Sequence, residues 1–343
     1  MPYRNAPESD TIRTMDDQPV AVVMSTFNEE KYVDRCIDAI LAQTVPARLF
    51  VVDGGSTDGT VERLRRRAIE DARIRVFAYG ARCSLPTALN FGIGLCDEPF
   101  VAKIDARTFI APDFLERALE VFESVGDGVV CVGGRPEQYG ETYFGEGLAR
   151  ARTSRFGVGD SGYADSRRRA DVDTVQCGVY RRDALAAAGG FDPALQFGED
   201  EELNWRLRAT GKRIVLDTGI RFRYLTRSSW LAAFRQYRNY GRARARVIEK
   251  HPDFLRLRHL APSTAVVVGT LAASMIPASL GARVIACSLA LAYCGAALYA
   301  ARMAAQEDRR LMLHTAAAFT ALHFGYGIGL LEGIFARIKR SFA

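Results

Sequence analysis

Four acidic positions stand where a chain of this pattern could do chemistry: Glu29, Asp53, Asp105 and the pair Glu199-Asp200. Glu29 closes Ser25-Thr26-Phe27-Asn28 after the apolar run Val20–Met24. Asp53 follows Leu49–Val52, and Asp105 follows Phe100–Ile104. Carboxylate oxygens are hard ligands for Mg²⁺ or Mn²⁺. A carboxylate can also take the proton of a hydroxyl that is becoming a nucleophile. A single loop acid is usually just solvated. Several at successive element ends make a candidate site.

The intervening segments say how these acids are held. Val20–Met24 and Leu49–Val52 read as buried parallel strands, and Ile74–Phe77 as a third. Glu29–Gln43 and Thr60–Glu70 between them carry helical spacing. Strand and helix alternate, so the fold class is α/β with a mostly parallel sheet. Ligands of such sheets bind at the carboxyl ends of the strands, where these acids lie. Further on, Leu85–Leu95, Pro112–Phe122, Arg182–Ala188, Glu199–Ala209 and the basic Trp230–Lys250 read as helices, and Phe100–Ile104 and Val129–Gly134 as strands. Residues 138–170, rich in Gly and Arg without a clear period, read as a mobile loop region, and residues 1–18 as a flexible lead-in.

The 343 residues carry 46 Lys/Arg against 40 Asp/Glu, a net charge of +6. Such a charge suits a membrane surface, an anionic substrate or nucleic acid. Its position narrows the choice. Between Lys212 and Leu260 thirteen Lys/Arg face three Asp/Glu, and this stretch runs into an Ala-, Leu- and Gly-rich tail. Basic residues flank membrane segments on the cytoplasmic side and attract anionic headgroups. Membrane lipids are the expected partner, and nucleic acid is not. Three apolar stretches, about 263–280, 284–301 and 311–335, approach the length of a bilayer span. Three crossings would leave Arg337–Arg340 outside, against the positive-inside rule, so one stretch could be re-entrant or interfacial. Residues 1–18 are polar, with no signal-peptide core. The catalytic part is therefore expected in the cytoplasm, on the inner membrane. The seven cysteines form no C-x-x-C pair and the four histidines show no ligand spacing. Reduced thiols are expected, with Cys177 a small packing residue.

The motifs resemble family 2 glycosyltransferases. Ser25-Thr26-Phe27-Asn28-Glu29-Glu30 is similar to the family's opening motif, and Val51–Thr60 to its second. Ile104-Asp105-Ala106-Arg107 sits at its Asp-x-Asp. Gly189-Gly190-Phe191-Asp192 and Gly198–Arg208 complete the order over about residues 18–225. The resemblance implies a nucleotide-binding GT-A fold and in-line transfer of a sugar, with inversion, from a UDP-sugar. By position it implies that Asp53 reads the base, that Thr26 and Glu29 contact the nucleoside with Asn28 and Gly54 nearby, and that Asp105 holds Mg²⁺ or Mn²⁺. It implies that Asp200 is the general base. Arg82, Arg107, Arg242 and Arg246 are candidates for the donor phosphates, and Gln176, Gly178, Glu199 and Trp205 for the acceptor side. Arg107 departs from the motif. A guanidinium binds no metal, so either Asp105 suffices with diphosphate and water, or Arg107 replaces part of the metal's charge and the enzyme is metal-independent.

His251–Arg258 and His323–Gly333 resemble the succinoglycan-type β-1,3-glucosyltransferases of bacterial exopolysaccharide assembly. That implies a sugar, glucose by this resemblance, passed to a polyprenyl-diphosphate-linked saccharide, with other polysaccharide-assembly proteins as possible partners. The alternatives are a polyprenyl-phosphate sugar synthase and an inactive nucleotide-sugar-binding scaffold. The expected division is a lead-in to residue 18, a GT-A domain over 19–228, a basic interfacial region over 229–260 and membrane-associated helices over 261–343.

Overall fold

The computed structural model describes residues 19–158, 168–277, 279–305 and 308–341. The lead-in 1–18 and part of the expected loop region lie outside the described residues. Strands β1 (Val20–Thr26), β2 (Ala47–Asp53), β3 (Ile74–Ala78) and β4 (Phe100–Lys103) form the parallel half of a mixed sheet. Helices α1 (Val33–Leu41), α2 (Thr60–Glu70) and α3 (Leu85–Ile93) make the crossovers. The strands are apolar on both faces because helices cover both. Val22, Met24, Leu49 and Val51 pack on one side, and Ala21, Val23 and Phe50 on the other.

Beyond β4 the sheet turns mixed. Strands β5 (Thr108–Ile110), β6 (Val129–Tyr139), β7 (Arg169–Asp171), β8 (Gln176–Arg181) and β9 (Arg213–Leu225) extend it in the order β3-β2-β1-β4-β8-β6-β9-β5, with β7 paired to β9. β8 lies antiparallel between β4 and β6. α4 (Phe114–Val125), α7 (Arg182–Ala187) and α8 (Glu199–Ala209) flank this half. The parallel reading therefore holds for the first half, while β5, β7, β8 and β9 had no place in the sequence reading.

The expected loop over 138–170 is corrected. β6 runs on to Tyr139, and α5 (Tyr143–Thr153) and α6 (Arg155–Val158) follow. Thr142 caps α5, its hydroxyl accepting the Gly145 N–H at 3.0 Å. Glycines 145 and 147 hide this helix from propensity. Gly147 is needed because α12 passes so close that a Cβ would meet Thr315 N at 2.7 Å.

The tail has helices α9 (Trp230–Lys250), α10 (Leu257–Ser274), α11 (Leu280–Ala305) and α12 (Arg309–Ser341). Among the described residues α11 and α12 are long and apolar enough to cross a membrane. Their surroundings differ. α12 lies along α5 and α9, with Ala318, Phe319, Ala321 and Leu322 packed against Leu148, Ala151, Ala233 and Tyr237. Gly325, Gly329 and Gly333, one turn apart, let α9 approach. A Cβ on Gly325 would stand 2.7 Å from Phe234 O, and one on Gly241 of α9 would stand 2.6 Å from Leu330 N. α10 and α11 pack on α12 only near their domain ends, through Ser263 Oγ to Gly327 O at 3.2 Å and Tyr293 Oη to His323 Nδ1 at 3.1 Å. Beyond that they expose Leu271, Met275, Leu280, Val284, Ile285 and Leu291.

Candidate active site

The carboxyl ends of β1 and β2 are stitched together by the residues expected to meet the nucleotide. Asp53, 1% exposed, accepts hydrogen bonds from Thr26 Oγ1 at 3.0 Å, Gly55 N at 3.0 Å and Ser56 N at 2.8 Å. Asn28, in a left-handed conformation with φ 55°, accepts the Thr57 N–H at 2.8 Å and donates its own N–H to Ser56 Oγ at 2.9 Å. Gly54 N donates to Thr26 O at 2.8 Å. Arg82 is exposed on this edge, its guanidinium 3.6 Å from the Phe27 ring centre. Thr26, Asn28, Asp53, Gly54 and Arg82 thus gather on one edge, with the Asp53 carboxylate organising the turn.

Next to it, β4 delivers a residue the sequence reading passed over. Lys103 is 3% exposed, and its Nζ lies 2.9 Å from Asp105 Oδ1, 3.2 Å from Glu199 Oε1 and 2.8 Å from Asp200 Oδ2. Burial alone would lower its pKa, but the three carboxylates outweigh burial and hold it well above the usual lysine value. A lysine between Ala102 and Ile104 in an apolar strand was the available signal, since a buried charge must be paired.

The acid run opening α8 distributes its members by helical rotation. Gly198, at φ 74°, lets the chain enter the helix. Glu199 and Asp200 turn to Lys103, Glu201 pairs with Arg244 at 2.8 Å, and Glu202 receives Arg206, Lys250 and His251 at 2.9, 2.8 and 3.0 Å. Asp200 keeps Oδ1 buried without a hydrogen-bond donor among the described residues. Burial pushes its pKa up to about 7, Glu199 and Asp105 adding to the rise and Lys103 opposing it. The Gly189–Asp192 motif supports α8 from below. Asn90 bonds both N and O of Phe191, at 2.8 and 2.7 Å, and Arg206 Nη2 donates to Gly190 O at 2.7 Å.

Lys103, Asp105, Glu199 and Asp200 open on a cavity of about 950 Å³ that Gln176 and Trp205 also line. Trp205 is fixed by stacking on His251, ring centres 3.9 Å apart. Gly178 is buried in β8 and does not reach the cavity; a Cβ there would meet Cys131 Sγ at 2.7 Å, so its role is packing. Cys177 is also buried, as expected.

Three arginines take other places than expected. Arg107 Nε pairs with Glu29 at 2.9 Å, and its guanidinium lies 4.6 Å from the Tyr32 ring centre, beside Asn28 and Glu30 rather than in the catalytic cavity. Arg242 pairs with Glu332 at 2.6 Å, and Arg246 donates to Ala194 O at 3.1 Å. Both are one turn apart on an outward face of α9, whereas Tyr237, Tyr240 and Arg244 face the cavity.

These positions bear on the implied metal. With Arg107 engaged by Glu29, Asp105 is the carboxylate of the Asp-x-Asp position that remains partly open, its side chain 29% exposed. One carboxylate suits a Mg²⁺-like ion that draws its other ligands from a diphosphate and water. The residues fit that binding mode.

A sheet half of βαβ crossovers with acids on its carboxyl edge, continued by a mixed half that brings in a helix-borne acid, defines a GT-A glycosyltransferase. The sequence model described as glycosyl transferase family 2 matches residues 21–187. The chain is 30% identical over 245 residues to the succinoglycan biosynthesis protein ExoA of Rhizobium meliloti (strain 1021), covering 70% of this chain and 73% of that protein. It is 25% identical over 240 residues to a dolichyl N-acetyl-α-D-glucosaminyl phosphate 3-β-D-2,3-diacetamido-2,3-dideoxy-β-D-glucuronosyltransferase of Methanococcus voltae, covering 67% of this chain and 74% of that protein. In fold it is similar to the mannosyltransferase PcManGT of Pyrobaculum calidifontis, solved with GDP-Man and Mn²⁺, with TM-score 0.62 and 18% identity over 93% of this chain and 87% of that one. The chain belongs to glycosyltransferase family 2.

Proposed function

We propose that this glycosyltransferase passes a sugar, with glucose the first to test, from a UDP-sugar to the hydroxyl of a lipid-linked saccharide at the cytoplasmic face of the inner membrane, in the assembly of a surface polysaccharide. The observation that carries this reading is Asp200 Oδ1, buried and without a donor on the wall of a cavity shared with Asp105. That oxygen takes the acceptor hydroxyl's proton. The hydroxyl oxygen bonds to the anomeric carbon as the carbon–diphosphate bond breaks, UDP leaves, and the anomeric configuration inverts. Lys103 keeps Asp200 oriented through Oδ2. Asp53, Thr26 and Arg82 hold the nucleoside edge. Where Mg²⁺ or Mn²⁺ is bound, Asp105 would hold it, and the ion would offset the charge of the leaving diphosphate.

The likeness to the succinoglycan protein supports the polysaccharide setting. The GDP-Man and Mn²⁺ complex of the mannosyltransferase supports a nucleotide-sugar donor and a divalent ion. The test is UDP release from a panel of UDP-sugars by detergent-purified protein with lipid extract and Mn²⁺, repeated with chelator. Release selective for one sugar, dependent on the extract and lost on chelation, is the expected result. Release that survives chelation removes the metal from the mechanism. No release with any UDP-sugar rejects the donor assignment.

A further inference from the structure

We infer that Arg152 of α5 binds the diphosphate of the lipid-linked acceptor, an inference that rests on the acceptor reading above. Its guanidinium Nη1 is buried and meets no hydrogen-bond acceptor among the described residues. No carboxylate among them pairs with it. The guanidinium stands 5.0 Å from the Tyr224 ring centre, with Tyr237 and Tyr240 on the same cavity wall. Three of the other arginines on that wall are matched by carboxylates: Arg208 and Arg256 pair with Asp173 at 2.8 and 2.9 Å, and Arg244 pairs with Glu201 at 2.8 Å. A sequestered cation among tyrosines carries a desolvation cost that an anion would offset. The planar guanidinium fork matches phosphate oxygens.

The place of Arg152 names the anion. α5 is the helix of the sheet domain that α12 packs against, its Leu148 and Ala151 touching the cluster of Phe319 and Leu322. The cavity that Arg152 lines has the catalytic acids on its wall and also Pro262, Ala265, Ala296 and Phe324 from the tail helices. An occupant that is polar at the acids, anionic at Arg152 and apolar along the tail is a saccharide on a polyprenyl diphosphate. A nucleotide diphosphate alone would leave the apolar wall uncovered.

The test measures binding of farnesyl diphosphate, inorganic pyrophosphate and UDP to the detergent-purified full chain and to Arg152→Gln and Arg152→Lys. The expected result is farnesyl diphosphate binding weakened at least tenfold in Arg152→Gln and partly kept in Arg152→Lys, with UDP affinity changed less than twofold. Farnesyl diphosphate binding unchanged in Arg152→Gln overturns the inference and leaves the acceptor reading standing. Loss of UDP affinity in the same proportion reassigns Arg152 to the donor. Pyrophosphate binding as tightly as farnesyl diphosphate overturns the lipid assignment. A wild-type chain that binds no farnesyl diphosphate overturns the acceptor reading as well. If Arg152→Gln does not fold, a photoreactive farnesyl diphosphate on the wild-type chain decides. Labelling of the cavity wall, at residues 152–158 of α5 and α6 or at 261–265, 293–296 and 322–326 of the tail helices, is expected, and labelling confined to segments outside that cavity overturns the assignment.

Discussion

Lys103 Nζ and Asp200 Oδ2 lie 2.8 Å apart at the floor of the cavity, joining a buried strand to the first turn of α8. The contact makes a strand lysine the counter-ion of the proposed base. Lys103→Met leaves Asp105, Glu199 and Asp200 facing one another without a cation. Breaking a buried pair from one side costs about 3–5 kcal/mol. The expected outcome is a lower melting temperature and kcat reduced by about 10²-fold or more at neutral pH, both read on the same detergent-purified preparation. A variant with wild-type melting and turnover would remove Lys103 from the site.

The pH profile follows from Asp200. A base works when deprotonated, and burial lifts this group to about 7. Thus kcat/KM should rise with pH between about 6 and 8, since that ratio reports the free enzyme's titrating groups. Lys103 opposes the upward shift, so Lys103→Met should move the rising limb to higher pH. A flat wild-type profile over this range would argue against Asp200 as the titrating base.

Glu202, whose pKa is shifted the other way, predicts an effect on stability. Burial would raise its pKa, but hydrogen bonds from Arg206, Lys250 and His251 outweigh burial and lower it to about 2. A carboxyl depressed in the folded chain stabilises above its unfolded pKa, and that contribution fades as pH falls from about 4.5 toward 2. Glu202→Gln should melt lower than wild type at pH 7, with the gap closing over that acid window in a thermal scan. A gap that stays constant would mean the loss is steric.

The glycines of α12 give a packing prediction. Gly329→Val places its side chain on the Arg238 backbone of α9, and a Cβ there already stands 2.7 Å from Arg238 C. Overpacking of this kind typically costs about 1–3 kcal/mol. Gly295→Ala on α11 meets nothing within 4 Å and should be near neutral. Equal melting temperatures for the two variants would contradict the close approach of α9 and α12.

The same packing gives a topology prediction. Arg340 reaches Glu249 of α9 at 3.1 Å, and Lys250 reaches Glu202 of the sheet domain. The end of α12 therefore lies on the catalytic side. On that reading the exposed apolar side chains of the α10–α11 hairpin, among them Leu271, Met275, Leu280 and Ile285, would enter the bilayer from the same side. A fluorescent reporter after Arg340 and one before Val20 should both report the cytoplasm, and a cysteine placed at Met275 should resist labelling from outside. External labelling at Met275 would mean that the hairpin crosses.

Much of this was readable in the residues. The apolar runs Val20–Met24 and Leu49–Val52 placed β1 and β2, and the segment Glu199–Ala209 closed by Gly211 placed α8. What escaped depended on tertiary contact. β9 mixes charged and apolar residues because β6, β5 and β7 use different parts of it. α5 carries glycines that only α12 explains. Arg242 and Arg246 have the spacing of a phosphate clamp, but the rotation of α9 turns them to Glu332 and Ala194. Arg152 carried no motif, and its place follows only from the packing of α5 on the tail.

The most direct measurement compares Asp200→Asn with wild type in sugar transfer to lipid extract and in UDP binding. The account predicts transfer reduced by about 10²–10⁴-fold with UDP affinity unchanged, because the amide keeps the shape and loses the proton-accepting oxygen. Transfer by Asp200→Asn at the wild-type rate would contradict it.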